Sequence, residues 1–257
     1  MRMKYYIVQK EDELSKKIKS LLMEKIHLEY SHQQPDYVIV IGGDGTLLAA
    51  VHQFPNAIFF AIHTGHLGFY ANYTLEDLDC LVEDIHHGSF IVEKLDIIQG
   101  KIETSKGSIE DFAINEMTIL CPLKPLILEV KIDGIRLETF RGTGICISTS
   151  YGSTAYNKSL SGAVIDPKLK AFQLTEIAGM NSNQYRTLSS SLLLSTDRRV
   201  ELEAKEHRGL VITFDQISYS LQDFNRASLF LKASQISLAH HNEKSFIDRI
   251  RRSFLKD

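Results

Sequence analysis

A Gly-Gly-Asp-Gly motif at residues 42–45 is the part of this sequence best suited to phosphate chemistry. It follows the apolar run Tyr37–Ile41 and precedes a helical pattern at residues 46–50, so we expect a strand that turns sharply into a helix. Glycines let the backbone approach a phosphate closely, and a helix N-terminus favours anions. An acidic side chain in such a turn suits a metal ion, a hydroxyl proton or both, which makes Asp44 the candidate catalytic residue. The alternative is a tight turn in which Asp44 caps the helix.

The motif matches neither of the common nucleotide fingerprints. No Lys-Ser or Lys-Thr pair follows it, as a Walker loop requires, and it is not a G-x-G-x-x-G sequence. The sequence therefore predicts phosphate binding by the backbone, without assigning a nucleotide.

Two other segments place polar groups where ligand binding is expected. Asn115 and Glu116 interrupt an apolar, strand-like stretch at residues 112–119. Buried polar side chains need hydrogen-bond partners, which a ligand can supply, although a β-bulge or an edge strand would explain the pair equally well. Residues 148–156 combine hydroxyl side chains, a glycine and a helix start, which suits hydrogen bonding to ribose, phosphate or amide groups. A capped helix start is the alternative for this loop.

The elements that must position these residues divide the chain into two lobes and a tail. Strand and helix patterns alternate over residues 1–95, which predicts an α/β lobe with a doubly wound, Rossmann-like sheet and ligands beyond the carboxyl ends of its strands. The predicted elements are strands at residues 4–8, 37–41 and 57–62 and helices at residues 11–26, 46–50 and 75–85.

Residues 96–240 have the short, alternating strands of a β-rich lobe. Asp133-Gly134 between two apolar runs is a strong hairpin signal, because a type I′ turn needs two positive φ angles. Residues 155–160 and 172–178 are predicted as helical segments. Residues 241–257 form the third region, in which the pattern predicts a terminal amphipathic helix at residues 244–255 that exposes Arg249, Arg251 and Arg252. Further strands are predicted at residues 200–204, 210–214, 217–221, 229–233 and 236–240.

Composition limits the class of protein. The 257 residues are 44% hydrophobic and 24% charged, with a formal net charge of -3, so we expect a globular protein and no nucleic-acid partner. No apolar run approaches the roughly 20 residues of a membrane span, and the first residues lack a signal-peptide pattern, so we expect a cytoplasmic protein without membrane contact. The three cysteines are expected as free thiols. The histidine pairs at residues 86–87 and 240–241 are expected to be solvated or capping, not metal ligands.

Together these motifs resemble the NAD kinases (ATP/polyphosphate–NAD kinases), in particular the short bacterial enzymes. The motifs at residues 42–45, 115–116 and 152–156 occur in the order and at the approximate distances of that family, and the similar stretches at residues 63–70, 140–142, 156–160 and 173–178 extend the match over both lobes. The resemblance implies an NAD kinase-like fold with the site between the lobes and with the C-terminal helix of residues 241–257 packing back on the first lobe. It also implies transfer of the γ-phosphoryl group of ATP to the 2′-hydroxyl of the NAD adenosine ribose.

The resemblance implies a role for each site residue. Asp44 would orient or deprotonate the 2′-hydroxyl, and Tyr185 would reach a site on an adjoining subunit of a homodimer or homotetramer. Magnesium, or another divalent cation, is expected on the ATP phosphates, with no metal site built by the protein alone and with polyphosphate as an open alternative donor. The substrate- and nucleotide-binding residues would be Gly43, Gly45, Asn115, Glu116, Thr143, Tyr151, Ser153, Thr154, Ala155, Tyr156, Ala178, Tyr185 and Gln216.

Several residues depart from the family pattern. Thr143 stands where close relatives usually have aspartate, Tyr151 belongs to a pair that replaces Pro followed by Ser or Thr, Ser161 replaces glycine, and Gln216 stands where histidine is frequent. Two other hypotheses therefore stay open. One is a catalytically weak NAD or NADP sensor, and the other is a diacylglycerol-type lipid kinase, although no polybasic or amphipathic membrane segment supports the latter.

Overall fold

A computed structural model of the chain describes residues 3–65, 68–204, 209–242 and 245–255. The chain divides into two compact units. The first consists of Met1–Leu95 and Ser234–Asp257, and the second consists of Asp96–Ala233. The helices are α1 (Glu13–Lys25), α2 (Asp44–Gln53), α3 (Leu78–His87), α4 (Tyr156–Ser159) and α5 (Phe246–Phe254). The strands are β1 (Lys4–Gln9), β2 (Glu29–Tyr30), β3 (Tyr37–Ile41), β4 (Ile58–Ile62), β5 (Ile91–Thr104), β6 (Gly107–Ala113), β7 (Glu116–Leu120), β8 (Leu126–Ile132), β9 (Ile135–Gly142), β10 (Gly144–Thr149), β11 (Ala171–Ile177), β12 (Leu192–Ser195), β13 (Arg199–Ala204), β14 (Leu210–Phe214), β15 (Ile217–Leu221) and β16 (Arg226–His240).

The first unit contains a parallel sheet in the order β2-β1-β3-β4-β16. Every residue of β3 is apolar and buried, as expected for a strand covered on both faces. α1 and α3 share a hydrophobic cluster with one face of the sheet, and the buried residues of α2 lie outside that cluster. In the sheet, β2 lies on one side of β1, and β4 lies on the other side of β3. Because both connections are expected to be right-handed, α1 and α2 lie on opposite faces of the sheet. This is the predicted doubly wound arrangement.

The second unit is built from antiparallel strands around one hydrophobic core. One sheet has the order β12-β11-β10-β7-β14-β15, while β16, β13, β8 and β9 pair in sequence and β5 forms a hairpin with β6. The hairpin predicted at Asp133-Gly134 is present, with φ angles of 52° and 76° at the two turn residues. The β-rich prediction for this part of the chain is confirmed.

Two predictions of secondary structure were wrong or incomplete. Residues 172–178 are not helical, because β11 pairs with β10 on one side and β12 on the other. The apolar residues Leu174, Ile177 and Ala178 have the i, i+3, i+4 spacing of a helix, and this spacing competes with the short alternation at residues 172–175. The two strands predicted at residues 229–233 and 236–240 are one continuous strand, β16. Residues 234–240 of this strand group with the first unit, whereas the sequence-based prediction ended the second lobe at residue 240.

The tail helix and the second histidine pair also differ in detail from the expectations. α5 begins at Phe246, with Ser245 as its N-cap, and Lys244 lies outside the described residues. His240 is buried, not solvated, and its Nε2 lies 2.6 Å from Glu93 Oε2. Arg249 also bonds Glu93, at 3.1 Å, so this arginine is not part of a fully solvated face. Cys121 and Cys146 are buried free thiols, and Cys80 is a half-buried one.

Candidate active site

Asp44 lies at the carboxyl edge of the parallel sheet, in the turn from β3 to α2. Gly43 is the N-cap residue and Asp44 is the first helical residue, and no side-chain hydrogen bond caps the helix. Instead, the carboxylate accepts the Phe69 amide at 2.8 Å on Oδ2 and the Tyr70 amide at 3.2 Å on Oδ1. The helix-capping alternative for Asp44 is therefore wrong, because its carboxylate is held by a neighbouring loop.

Gly68 makes that arrangement sterically feasible. A Cβ atom at this position would lie 2.2 Å from Asp44 Oδ1, which is far inside van der Waals contact. The loop can therefore wrap around the carboxylate only with glycine at residue 68. Gly43 and Gly45, on either side of Asp44, are both exposed.

Asn115 and Glu116 are fixed in the second unit by a residue that the sequence interpretation did not assign to the site. The Asp215 carboxylate, in the tight turn between β14 and β15, accepts the backbone amides of Ile114 at 2.9 Å, Asn115 at 2.8 Å and Glu116 at 3.3 Å. The Asp215 amide in turn donates to the Glu116 carbonyl at 3.0 Å. An aspartate in a two-residue turn with a positive φ, here 51°, was the available signal.

The Glu116 side chain has an unusual electrostatic environment. It is only 8% exposed, and burial, followed by repulsion from the Asp215 carboxylate, raises its pKa to about 8. A hydrogen bond from the Tyr156 amide opposes this shift. Among the described residues, Glu116 Oε2 has no hydrogen-bond partner. At neutral pH the carboxyl group is therefore mostly protonated and available to donate a hydrogen bond.

The hydroxyl-rich loop is tied directly to the Asn115 backbone. The Thr149 amide donates to the Asn115 carbonyl at 2.9 Å, and the Gly152 amide donates to Thr149 Oγ1 at the same distance. A Cβ atom on Gly152 would lie 2.0 Å from the Asn115 carbonyl oxygen. The two motifs that looked separate in the sequence are thus neighbours, and Gly152 is the residue that permits their close approach.

The predicted ligand residues within the loop differ in accessibility. Ser153 is fully buried, and its hydroxyl donates to the Ser150 carbonyl at 2.6 Å and accepts the Ile165 amide at 2.9 Å, so it stabilises the loop. Tyr151 is also buried. Thr154 and Ala155 are half-buried, and Tyr156 is 42% exposed. The accessible part of the loop is therefore residues 154–156.

The other predicted site residues of the second unit lie at the ends of strands. Thr143 is exposed between β9 and β10, and its amide donates to Ile177 at 2.9 Å. Ala178, directly after β11, is exposed with a φ of 47°. Gln216 is exposed beside Asp215.

Tyr185 belongs to a segment that two carboxyl groups anchor, the buried one of Glu138 and the half-buried one of Glu176. The Arg141 guanidinium lies 5.4 Å from the centre of its ring. Glu138 accepts the Leu188 amide at 2.8 Å, and Glu176 accepts the Ser189 amide at 3.0 Å. Burial, with a smaller contribution from Glu176, raises the pKa of Glu138. The segment is thus held to β9 and β11 while Tyr185 stays half-buried.

Within residues 3–65, 68–204, 209–242 and 245–255, no cluster of three or more histidine, cysteine, aspartate or glutamate side chains could hold a metal ion. None of the helices described there is long and apolar enough to cross a membrane.

Two family models match the sequence: the ATP-NAD kinase N-terminal domain at residues 7–90 and the ATP-NAD kinase C-terminal domain at residues 114–234. The NAD kinase of Geobacillus stearothermophilus is 37% identical over 250 residues, which cover 95% of this chain and 92% of that protein. This identity extends over both units.

Solved structures confirm the predicted fold, an α/β lobe combined with a β-rich lobe. Yeast NADH kinase complexed with NADH matches with a TM-score of 0.87 at 18% identity, covering 100% of this chain and 89% of that one. An NAD kinase from Archaeoglobus fulgidus in complex with ATP matches with a TM-score of 0.74 at 22% identity, covering 97% and 99%. With both family models matched and 37% identity to a curated relative over nearly the full length, this chain belongs to the NAD kinase family.

Proposed function

We propose that this protein transfers the γ-phosphoryl group of ATP to the 2′-hydroxyl of the adenosine ribose of NAD, forming NADP and ADP. Membership of the NAD kinase family supports this activity. The observation that carries it is the Asp44 carboxylate, which does not cap α2 and is held by the Phe69 and Tyr70 amides beside a glycine-rich turn. A carboxylate fixed in this way is an acceptor for a hydroxyl proton.

In this reaction Asp44 acts as the general base. Its carboxylate accepts a hydrogen bond from the 2′-hydroxyl and takes the proton as the hydroxyl oxygen attacks the γ-phosphorus. The new O–P bond forms while the bond from the γ-phosphorus to the bridging oxygen breaks, and ADP leaves. Two amide hydrogen bonds fix the orientation of the carboxylate before the substrate arrives, which reduces the reorganisation needed in the transition state.

The second unit supplies the groups that bind the dinucleotide. Asn115 and Glu116 have backbones fixed by Asp215, and the protonated Glu116 carboxyl donates one hydrogen bond that a carboxylate could not. The accessible residues 154–156 extend the same surface, since the Tyr156 amide bonds Glu116. Ser153 and Tyr151 act indirectly, by holding the loop in shape. We place Thr143, Ala178 and Gln216 at the edges of the dinucleotide site, with Gly43 and Gly45 near phosphate groups.

Magnesium, or another divalent cation, is the cofactor that we propose. When bound to the ATP phosphates it neutralises charge that develops during transfer. Magnesium commonly uses substrate phosphates plus one or two carboxylates, and Asp44 is the carboxylate that would contribute. Polyphosphate is the alternative phosphoryl donor, and NADP formation from NAD and polyphosphate without ATP would identify it.

We further propose that the enzyme works in the cytoplasm as a homodimer or homotetramer. The resemblance of Tyr185 to a tyrosine that reaches an adjoining subunit in related enzymes supports the oligomer. The half-buried ring, held beside Arg141, leaves part of Tyr185 accessible for that contact.

The experiment that tests the function is NADP formation by the purified chain from NAD, ATP and magnesium. NADP is measured with a dehydrogenase specific for NADP, which reports the 2′-phosphate directly. We expect turnover that requires both ATP and a divalent cation. Saturable NAD binding with no NADP would instead identify a sensor, and phosphorylation of diacylglycerol with none of NAD would identify a lipid kinase.

A further inference from the structure

His63 is the first residue after β4 and lies next to the glycine-rich turn. The Gly42 amide donates to the Ile62 carbonyl at 2.9 Å, which continues the parallel register of β3 and β4 beyond their ends. The His63 amide donates to the Tyr73 carbonyl at 3.1 Å, which fixes the backbone. His63 is therefore held at the carboxyl edge of the sheet. If the register of β3 and β4 is continued by one residue, His63 lies opposite Gly42, which is two residues before Asp44.

The alternation of side chains along β4 assigns the face on which His63 lies. Phe60 and Ile62 belong to the cluster formed with α1 and α3. Successive strand residues point to opposite faces, so Phe59, Ala61 and then His63 project on the other side. That side carries α2, whose N-terminus begins at this same edge. His63 thus lies on the face where the helix N-terminus and the Asp44 turn are found.

The imidazole of His63 is unusual because both of its ring nitrogens are buried and neither has a hydrogen-bond partner among the described residues. Buried polar atoms are paired in the great majority of cases, and an unpaired one costs about 1–3 kcal/mol. Asn72 and His240 show the usual behaviour in the same unit, since these two buried side chains bond each other. A bound group that accepts a hydrogen bond would remove the cost at His63.

We propose that His63 positions the phosphoryl donor by donating a hydrogen bond from a ring nitrogen to a phosphate group of ATP. This inference rests on the proposed function and names a residue for the donor side of the reaction. Phosphate oxygens suit the location, because a helix N-terminus favours anions and the turn at residues 42–45 lacks the lysine of a Walker loop. His63 exchanges no proton with the substrate in this role. It holds the donor phosphates beside Asp44.

The test compares His63→Leu and His63→Gln with His87→Gln, a control at an exposed histidine of α3. Binding of Mg-ATP without NAD is measured by calorimetry, and KM for ATP, KM for NAD and kcat are measured separately. We expect His63→Leu to weaken Mg-ATP binding and to raise KM for ATP by about tenfold, because about one hydrogen bond to a charged group is lost. KM for NAD should stay unchanged. His63→Gln, which keeps an N–H donor, should lose less, and His87→Gln should match the wild type.

The inference is overturned if folded His63→Leu binds Mg-ATP as tightly as the wild type. If the leucine variant does not fold, His63→Ala decides, because a folded protein without an N–H donor at residue 63 that keeps the wild-type KM for ATP and wild-type Mg-ATP binding would also overturn it. Failure of the proposed function looks different. A wild-type chain that makes no NADP, yet binds Mg-ATP in a way that depends on His63, would contradict the activity and retain the inference.

Discussion

Replacement of Glu116 by glutamine is expected to change how the stability of the protein depends on pH. Burial and the Asp215 carboxylate raise the pKa of Glu116 from 4.5 to about 8 in the folded protein. Because the pKa is higher in the folded protein than in the unfolded chain, Glu116 makes its full contribution to the free energy of unfolding below pH 4.5. This contribution is lost as the pH rises from 4.5 to about 8. One pH unit corresponds to about 1.4 kcal/mol, so the whole interval corresponds to roughly 5 kcal/mol.

Glutamine at residue 116 has nearly the same shape but does not titrate. Its amide oxygen can still accept the Tyr156 amide hydrogen bond, and the repulsion with Asp215 disappears. The free energy of unfolding of Glu116→Gln, minus that of the wild type, should therefore increase by roughly 2–3 kcal/mol between pH 6 and pH 8 and level off above pH 9.

The assay is urea-induced unfolding at pH 6, 7, 8 and 9 for the wild type, Glu116→Gln and Glu24→Gln. Glu24 is an exposed carboxylate on α1 and controls for the loss of a negative charge. A difference between Glu116→Gln and the wild type that stays constant from pH 6 to pH 9 would refute this explanation of the buried carboxyl group.

Two further substitutions test single contacts. Gly152→Ala should destabilise the protein by about 1–3 kcal/mol and weaken NAD binding, because the added Cβ would lie 2.0 Å from the Asn115 carbonyl oxygen; unchanged urea unfolding and unchanged NAD affinity would contradict this. Tyr73→Phe should cost about 1–3 kcal/mol, since it removes the hydroxyl that donates at 2.9 Å to the buried Asp84 carboxylate. A loss below about 0.5 kcal/mol in urea unfolding would show that Asp84 does not depend on this donor.

Much of the architecture could be predicted from local sequence patterns. The turn after the buried run Tyr37–Ile41 and the hairpin at Asp133-Gly134 depend on neighbouring residues alone, so both were predicted correctly. β11 was predicted as a helix because Leu174, Ile177 and Ala178 have helical spacing, which competes with the short strand-like alternation at residues 172–175. The pairing that makes residues 171–177 a strand comes from β10 and β12, which a local pattern does not contain.

The candidate site shows the same division between local and tertiary information. Asp44, Asn115 and Glu116 were predicted as site residues from residue type and surrounding pattern. In the structure Asp44 follows β3, and Asn115 and Glu116 lie where β6 ends and β7 begins. Asp215 was not assigned to the site, because its three amide partners lie about 100 residues earlier in the chain. His63 begins the family-like stretch at residues 63–70, but its sequence context gives no sign that both ring nitrogens are buried without a partner among the described residues.

The most direct test of the proposed phosphoryl transfer is the steady-state rate of NADP formation by Asp44→Asn beside the wild type, with Asp79→Asn as a control at an exposed carboxylate of α3. Loss of a general base should reduce kcat by roughly 10²–10⁴-fold, while NAD binding changes little. The unfolding midpoint should fall modestly, because the asparagine NH2 group faces one of the two amides that the carboxylate accepts. Asp79→Asn should keep the wild-type rate. A folded Asp44→Asn protein that forms NADP at close to the wild-type rate would contradict the assignment of Asp44 as the base.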